Sequence, residues 1–252
     1  MLDLLRVNAE KAASVLSESE HAVAFTGAGI SVESGIPPFR GEEGLWSRYD
    51  PKILELNYFS AHPEDSWKVI KEIFYDFFGK AKPNIAHITL AEMEKSGFLK
   101  AVITQNIDSL HQKAGSRKVI EFHGTSEKTV CMRCKRKYDI GSISLDNLPP
   151  VCIACGGVLK PDFIFFGEGI PHDAFEESIK ETELADVFLL TGSTGLVQPA
   201  ASLPFKAKQN GAFIIEINPE RTVFTEGITD IFIQGKASES FSLLSDFLFD
   251  EG

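Results

Sequence analysis

The 252-residue chain predicts an α/β fold of the doubly wound kind: a parallel sheet covered on both faces by helices. Three observations predict it. Short runs that are apolar at every position recur along the chain. Helical periodicities lie between those runs. The turn after the first run is glycine-rich. Strands buried on both faces read as continuous apolar segments, and their alternation with helices marks this architecture.

In order along the chain, residues 3–19 predict an amphipathic helix, because Leu4, Leu5, Ala9, Ala12, Ala13 and Leu16 recur at helical spacing. His21-Ala-Val-Ala-Phe-Thr26 follows as a short apolar run bounded by Gly27, a buried strand. The pattern repeats at Ala101–Thr104, Phe188–Thr191 and Phe213–Ile217, with a shorter candidate at Ile231–Ile233. Helices are expected over 84–96, 171–184 and 201–209. Two segments interrupt this rhythm. Residues 41–83 look helical and are rich in aromatics, among them Trp46, Tyr49, Tyr58, Phe59, Trp67, Phe74, Tyr75, Phe77 and Phe78. Residues 125–160 hold all four cysteines. The two read as insertions that together build a smaller lobe, leaving 1–40, 84–124 and 161–252 to the large domain.

Composition narrows the class. Hydrophobic residues at 43% and charged residues at 24% are ordinary for a soluble globular protein. The net charge of -11 repels phosphate backbones, so direct nucleic-acid binding is not expected, whereas basic, lysine-rich peptides are attracted. No apolar run approaches the roughly 20 residues that span a bilayer, so no membrane partner is expected. The N-terminus lacks a basic head followed by an apolar stretch, so no signal peptide is expected and the predicted location is the cytoplasm. Thiols stay reduced there, and closely spaced cysteines then suggest a metal rather than disulfides.

The cysteines form two pairs, Cys131-Met-Arg-Cys134 and Cys152-Ile-Ala-Cys155, with 17 residues between them. Two residues between thiolates let one tight turn aim both sulfurs at one ion, and a second such turn completes a tetrahedron. The competing reading is four unrelated buried cysteines. Four thiolates leave no open coordination position, so a zinc here is structural.

Gly27-Ala28-Gly29-Ile30-Ser31 ends the first strand, where a dinucleotide's pyrophosphate binds in such folds. Gly-x-Gly alone is weak evidence, and a plain tight turn reads almost as well. The stretch also departs from G-x-G-x-x-G, with Glu33-Ser34-Gly35 where a helix would continue, so it is not an ordinary dehydrogenase fingerprint. Arg40, in a Gly/Pro-rich loop, is placed to meet a phosphate. A second polar cluster, Gln105, Asn106 and Asp108, directly follows the strand at 101–104 and so falls at its carboxyl end, in the ligand crevice. One such residue would suffice as a helix cap, and three favour ligand contact. His123 lies just before the cysteine segment, at the junction of the lobes, and is the best-placed histidine for a general base. His21, His62, His87 and His172 read as structural or surface residues, and His111 as a helical residue that supports the cleft.

Taken together, these stretches resemble the sirtuins. The resemblance is carried by GAGISVESGIPPFRG (27–41), TQNIDSLHQKAG (104–115), His123-Gly124, the cysteine pairs, KPDFIFFGE (160–168), GSTGLVQPAASLP (192–204) and INPE (217–220), in order along nearly the whole chain. It implies a Rossmann-like doubly wound parallel sheet with a small lobe formed by a helical module and a zinc-ribbon-like module. It implies NAD as co-substrate, one structural zinc, and an acylated lysine of a protein or peptide as partner. The implied reaction gives free lysine, nicotinamide and an O-acyl-ADP-ribose.

The resemblance also implies residue roles. Gly27, Ala28, Gly29, Ile30, Glu33, Phe39 and Arg40 wrap the pyrophosphate and cover the nicotinamide ribose, with Trp46 a further cofactor contact. Gln105 holds ribose hydroxyls. Asn106, Ile107 and Asp108 form the nicotinamide pocket, with Asn106 acting in catalysis beside the base His123. Gly192, Ser193 and Thr194 meet phosphate or ribose. Asn218, Pro219 and Glu220 lie at the adenosine ribose, and Lys236 and Ala237 by the adenine. Ile164, Phe165, Phe166 and Gly167, with Ile107, contact the acylated lysine, in an extended stretch that pairs with substrate backbone. The alternative for Phe163–Phe166 is a core strand, and both readings hold if alternate residues face opposite ways.

Two departures stand out. Pro38 replaces the Asp or Thr of many sirtuins, and Ser193-Thr194 reverses a common order. For the acyl group, no Tyr-x-x-Arg occurs in the helical module and no arginine lies between Arg48 and Arg117. A buried carboxylate without a cation is costly, so acetyl or a longer uncharged chain is favoured, although Gln198 and INPE resemble the succinyl-preferring branch. Competing functions are a mono-ADP-ribosyltransferase using the same cleft and a non-catalytic NAD sensor. Retention of His123, Asn106 and Asp108 argues against the sensor.

Overall fold

The computed structural model describes residues 2–39, 41 and 44–249. Helix α1 (Leu2–Glu18) leads into strand β1 (Ala22–Thr26). The glycine turn then opens into a 3-10 segment, Ala28–Ser34, rather than the α-helix of a simple crossover. A run of short helical pieces follows: turns at Leu45–Ser47 and Pro51–Leu54, α2 (Leu56–Ala61), α3 (Pro63–Ile70), a π-helical stretch Lys71–Phe77 and a last turn Phe78–Lys80. Then come α4 (Ile85–Lys95), β2 (Ala101–Thr104), α5 (Leu110–Ala114), β3 (Val119–Glu121), β4 (Gly124–Cys131), β5 (Lys137–Asp139) and β6 (Leu159–Phe163). The chain closes with α6 (His172–Leu184), β7 (Val187–Thr191), α7 (Ser202–Gln209), β8 (Phe213–Asn218), α8 (Val223–Gly227), β9 (Ile231–Gln234) and α9 (Ala237–Phe249).

Six strands form one sheet in the order β3-β2-β1-β7-β8-β9, every neighbouring pair parallel. Strand order reverses between β1 and β7, and in such a sheet the crevice beyond the strand ends at that point is where ligands bind. Successive residues serve opposite faces. Ala22 and Ala24 of β1, with Val187 and Leu189 of β7, join a core built with α1, α4 and α9. Val23, Phe25, Phe188 and Leu190 join the opposite core with α7 and α8. The all-apolar runs thus satisfy two hydrophobic layers at once.

A second sheet, β5-β4-β6, is antiparallel and carries the cysteines. It begins at Gly124 and ends at Phe163, so it reaches beyond 125–160 at both edges. It packs on the helical insertion: the buried Trp67 indole donates to the Leu159 carbonyl at 2.8 Å, and the Tyr75 hydroxyl donates to the Ser126 carbonyl at 3.1 Å. The two insertions share one core of Ile53, Phe59, Trp67, Phe74, Phe163 and Phe165, among others. Among the described residues, no helix is long and apolar enough to cross a membrane.

Candidate active site and metal centre

The glycine turn is built by close approach of two loops. Gly27 N–H donates to the Thr191 carbonyl at 3.0 Å and Gly29 N–H to the Gly192 carbonyl at 2.9 Å. A Cβ on Gly27 would meet the Gly192 oxygen at 2.7 Å, and one on Gly29 would meet the Gly192 Cα at 2.6 Å. Gly192 itself has φ 67°, the left-handed region that favours glycine. Only hydrogen fits at these positions, and they lie at the β1/β7 reversal.

The polar residues after β2 face this turn. Asn106, buried, donates to the Gly27 carbonyl and the Ser31 hydroxyl, both at 3.2 Å. Ser31 donates to Asp108 at 2.7 Å, and the other Asp108 oxygen accepts the Leu110 N–H at 2.9 Å. Burial raises the Asp108 carboxyl above its usual range, against the pull of those hydrogen bonds. Ser109, at φ 57°, turns the chain left-handed into α5, a strained conformation of the kind that clusters at functional sites.

Behind Ser31 sits His87, whose ring lies 4.9 Å from that of His111. His87 is fully buried rather than on the surface, and desolvation pushes it down to about 4. His111 contacts the Thr26 hydroxyl at 2.9 Å and is driven well below its ordinary value by burial and then by His87. Both rings are neutral props of the crevice floor.

His123 is half-buried, and its Nδ1 lies 3.0 Å from the Gln105 carbonyl oxygen. A carbonyl only accepts, so Nδ1 carries the proton and Nε2 keeps a free lone pair. Burial lowers the ring below its usual value, partly opposed by the Gln105 bond. The Gln105 side chain donates to the Ser193 hydroxyl at 2.9 Å, and Asn218 donates to the Ser193 carbonyl at 3.2 Å. On its other side, the His123 carbonyl accepts the Ile164 N–H at 2.9 Å. One chain of contacts therefore runs from Asn218 through Ser193, Gln105 and His123 to Ile164.

Aromatic rings form a second bridge. Phe39 packs on Trp46 at 5.6 Å, and Trp46 on Phe166 at 6.2 Å, so cofactor and substrate candidates share one wall. In the Phe163–Gly167 stretch, the alternation corrects the assignment of Phe165. Phe166 is 51% exposed, but Phe165 is 1% exposed and packs edge-on against Phe59 in the small-lobe core, where its ring cannot line a tunnel. Nor is the whole stretch open to a partner strand. Phe166 N–H donates to the Leu54 carbonyl and its own carbonyl accepts from Leu56, which leaves the Ile164 C=O and the Gly167 N–H and C=O as free pairing groups among the described residues. A cavity of 280 Å³ lined by Glu55, Leu56, Asn57, Phe166 and Gly167 opens beside them.

The remaining candidates fall as follows. Thr194, Pro219, Glu220 and Lys236 are exposed at strand ends, and Ala237 is buried at the start of α9. The Glu33 carboxylate is engaged elsewhere: it accepts the Ser238 N–H of α9 at 2.7 Å, a favourable place for a negative charge. Arg40 lies outside the described residues. The site also includes residues with no role assigned from sequence. Lys160, nearly buried, pairs with Glu168 at 2.9 Å, donates to the Phe163 carbonyl at 2.7 Å and lies 4.2 Å over the Phe165 ring. Glu168 in turn accepts the Phe165 N–H at 2.7 Å, so the pair fixes the turn that presents Phe166. A lysine inside the apolar stretch before F-I-F-F was the available signal.

The four cysteine ligand atoms lie within 4.8 Å of one another, with Cys131–Cys155 sulfurs 3.5 Å apart and Cys134–Cys152 sulfurs 3.7 Å apart. Tetrahedral zinc at about 2.3 Å from each sulfur needs sulfurs about 3.8 Å apart. The Tyr138 hydroxyl contacts the Cys152 sulfur at 3.0 Å, an outer-shell contact that favours thiolate. The donor set fits one closed, structural zinc.

Known proteins agree with this geometry. The sequence profile described as "Sir2 family" matches residues 27–199. An NAD-dependent protein deacetylase of Pyrobaculum aerophilum is 44% identical over 241 residues, covering 95% of this chain and 94% of its own. A Sir2 homologue mutant solved in complex with ADP-ribose superposes with a TM-score of 0.90 at 43% identity, covering 94% of this chain and 95% of its own. A Sir2 structure with a p53 peptide and NAD+ gives 0.86 at 37% identity, covering 94% and 96%. With the profile matching residues 27–199 and the relatives and the fold agreeing over nearly the full length, this chain belongs to the Sir2 family, the sirtuins.

Proposed function

We propose that the crevice removes acyl groups from protein lysine side chains at the expense of NAD, with His123 as its general base. The observation that supports this most is the position of His123, an imidazole with a free Nε2 held between the cofactor candidates Gln105 and Ser193 and the substrate segment at Ile164. Related chains are named NAD-dependent protein deacetylases and deacylases.

NAD supplies an activated ribose carbon with nicotinamide as its leaving group, and the chain supplies the rest. The Gly27–Gly29 backbone and Gly192 take the pyrophosphate. Asn106 and Asp108, braced by Ser31, hold the nicotinamide end. Phe39 and Trp46 close the ribose face against water, and the exclusion strengthens every polar contact inside. His123 Nε2 accepts the proton of a ribose hydroxyl when that hydroxyl attacks the transferred acyl group. The substrate backbone pairs at Gly167, and Ile164 and Phe166 line the acyl-lysine path. No Tyr-x-x-Arg in the helical module offers a cation to a charged acyl group, and no arginine lies between Arg48 and Arg117, so an uncharged one, acetyl above all, is the substrate.

Mass spectrometry of acetyl-, succinyl- and myristoyl-lysine peptides, with and without NAD, tests this. The expected result is NAD-dependent loss of acetyl, reduced by roughly 100-fold or more in His123→Ala. A strong succinyl preference overturns the acyl assignment, and near-normal turnover by the variant removes His123 from the mechanism. ADP-ribose label found on protein rather than on a small ester would establish the transferase instead.

A further inference from the structure

Glu216 stands in the middle of β8, among Ile214, Ile215 and Ile217, at 0% exposure. Among the described residues no lysine, arginine or histidine pairs with it. Four neutral donors surround it instead. Thr222 Oγ1 donates to Oε1 at 2.5 Å and Asn218 Nδ2 to the same oxygen at 3.4 Å. Thr225 and Thr229 hydroxyls donate to Oε2 at 2.7 and 2.8 Å. A buried carboxylate without a cation persists only when its lone pairs are filled in this way. Three hydroxyls would suffice for that, and the fourth donor belongs to a residue at the cofactor crevice.

Asn218 Nδ2 has two hydrogens. One goes to the Ser193 carbonyl at 3.2 Å, the other to Glu216. Both partners only accept, so the amide has one permitted orientation. Its Oδ1 is left as the free polar atom at the carboxyl end of β8. We propose that Glu216 is a positioning residue for the cofactor: it locks the Asn218 amide so that an acceptor, Oδ1, faces the hydroxyls of the adenosine ribose before NAD arrives. The inference rests on the reading of Asn218 as a ribose contact. The carboxylate matters because it cannot donate. A glutamine at 216 can turn its own NH2 toward Asn218, leaving the Ser193 carbonyl as the one remaining hold on that amide; an amide rotated against it presents a donor where the ribose also brings donors. Pre-orientation of a single hydrogen-bonding group lowers the cost of binding.

The test compares NAD kinetics of the full-length parent, E216Q, N218A and the double variant E216Q/N218A, with T229V as a control that loosens the cage on the oxygen Asn218 does not touch. E216Q is expected to raise the KM for NAD by about tenfold, the loss of one good hydrogen bond, with kcat within about twofold. In the N218A background the same change should move KM by less than about twofold, because Glu216 acts through that amide. T229V should lower the Tm and leave KM unchanged. An E216Q enzyme with the parent's KM, or an equal factor in both backgrounds, overturns the proposal. If N218A itself leaves KM unchanged, the ribose contact fails and the inference falls with it. Should E216Q not fold, the unliganded parent decides. Its Asn218 side-chain amide should give two resolved, slowly exchanging protons in 1H–15N spectra. An averaged, fast-exchanging pair would show that nothing locks it.

Discussion

The six-stranded domain and the cysteine sheet are held together by different forces. The large sheet buries both faces under helices, and its layers are continuous from α1 through β1 and β7 to α9. The fully buried part of the cluster beneath the three-stranded sheet is, among the described residues, Cys131, Cys152 and Leu159, with Tyr138, Ile143 and Cys155 half-buried against it. A sheet that small cannot offset the entropy of ordering its loops by apolar burial. Two of its three buried residues are the proposed zinc ligands, so on the face turned away from the helical insertion metal coordination substitutes for a core. The helical insertion lies between these extremes, with a real aromatic core that leans on the cysteine sheet through Trp67 and Tyr75.

Zinc removal should break the molecule along this line. Structural zinc contributes on the order of 10 kcal/mol to small metal-dependent folds. A chelator, or Cys152→Ser, is therefore expected to disorder β4–β6 and abolish turnover while far-UV circular dichroism still reports the α/β domain. Hydrogen exchange by segment checks this, and unchanged protection across 124–163 without metal would show that the lobe has a sufficient core of its own.

A smaller perturbation separates packing from recognition within one stretch. Phe165→Ala should cost about 3–5 kcal/mol, because it empties an aromatic site in the small-lobe core. Phe166→Ala, one residue on, should change stability by no more than about 0.5 kcal/mol and raise the peptide KM. Denaturant titration and peptide kinetics on both variants give the two readouts. Equal stability losses would mean the alternation is not what divides their roles.

Acid sharpens the comparison from the side of the large domain. His87 is held neutral at about 4 in the fold, whereas an unfolded histidine titrates near 6.5. The unfolded chain takes up the proton first as pH falls, so this contribution is complete above about 6.5 and is lost progressively below it. Between pH 7 and pH 5 the loss is roughly 2 kcal/mol from this ring. His87→Gln should flatten that slope in urea titrations, and an unaltered slope would assign the acid sensitivity to other groups, the cysteine lobe included.

Much of this was legible in the residues. The all-apolar runs named every central strand of the large sheet, because a strand buried on both faces has no polar side to display. The paired cysteines announced their cluster, because two residues between thiolates is itself a geometry. Gly27 and Gly29 marked the crevice, though not the reason, which is the opposing backbone of Gly192. Other features were hidden because local pattern says nothing about distant partners. His87 read as surface or structural until α4 placed it behind Ser31. The partner of Glu33 was hidden in the same way, since α9 brings the Ser238 N–H to its carboxylate from 205 residues away.

The sequence by itself determined which segments must be buried, where the chain must turn tightly and which side chains can bind a soft metal. These depend on residue type and near spacing, and they survive without knowledge of what lies across the fold. Tertiary structure alone decided which face each side chain takes. It sent Phe165 inward and Phe166 outward, gave His123 its tautomer through the Gln105 carbonyl, and gave Glu216 its four donors. Hydrogen bonds and exposure are relations between groups far apart in the chain, and only the closed fold sets the distances on which they depend.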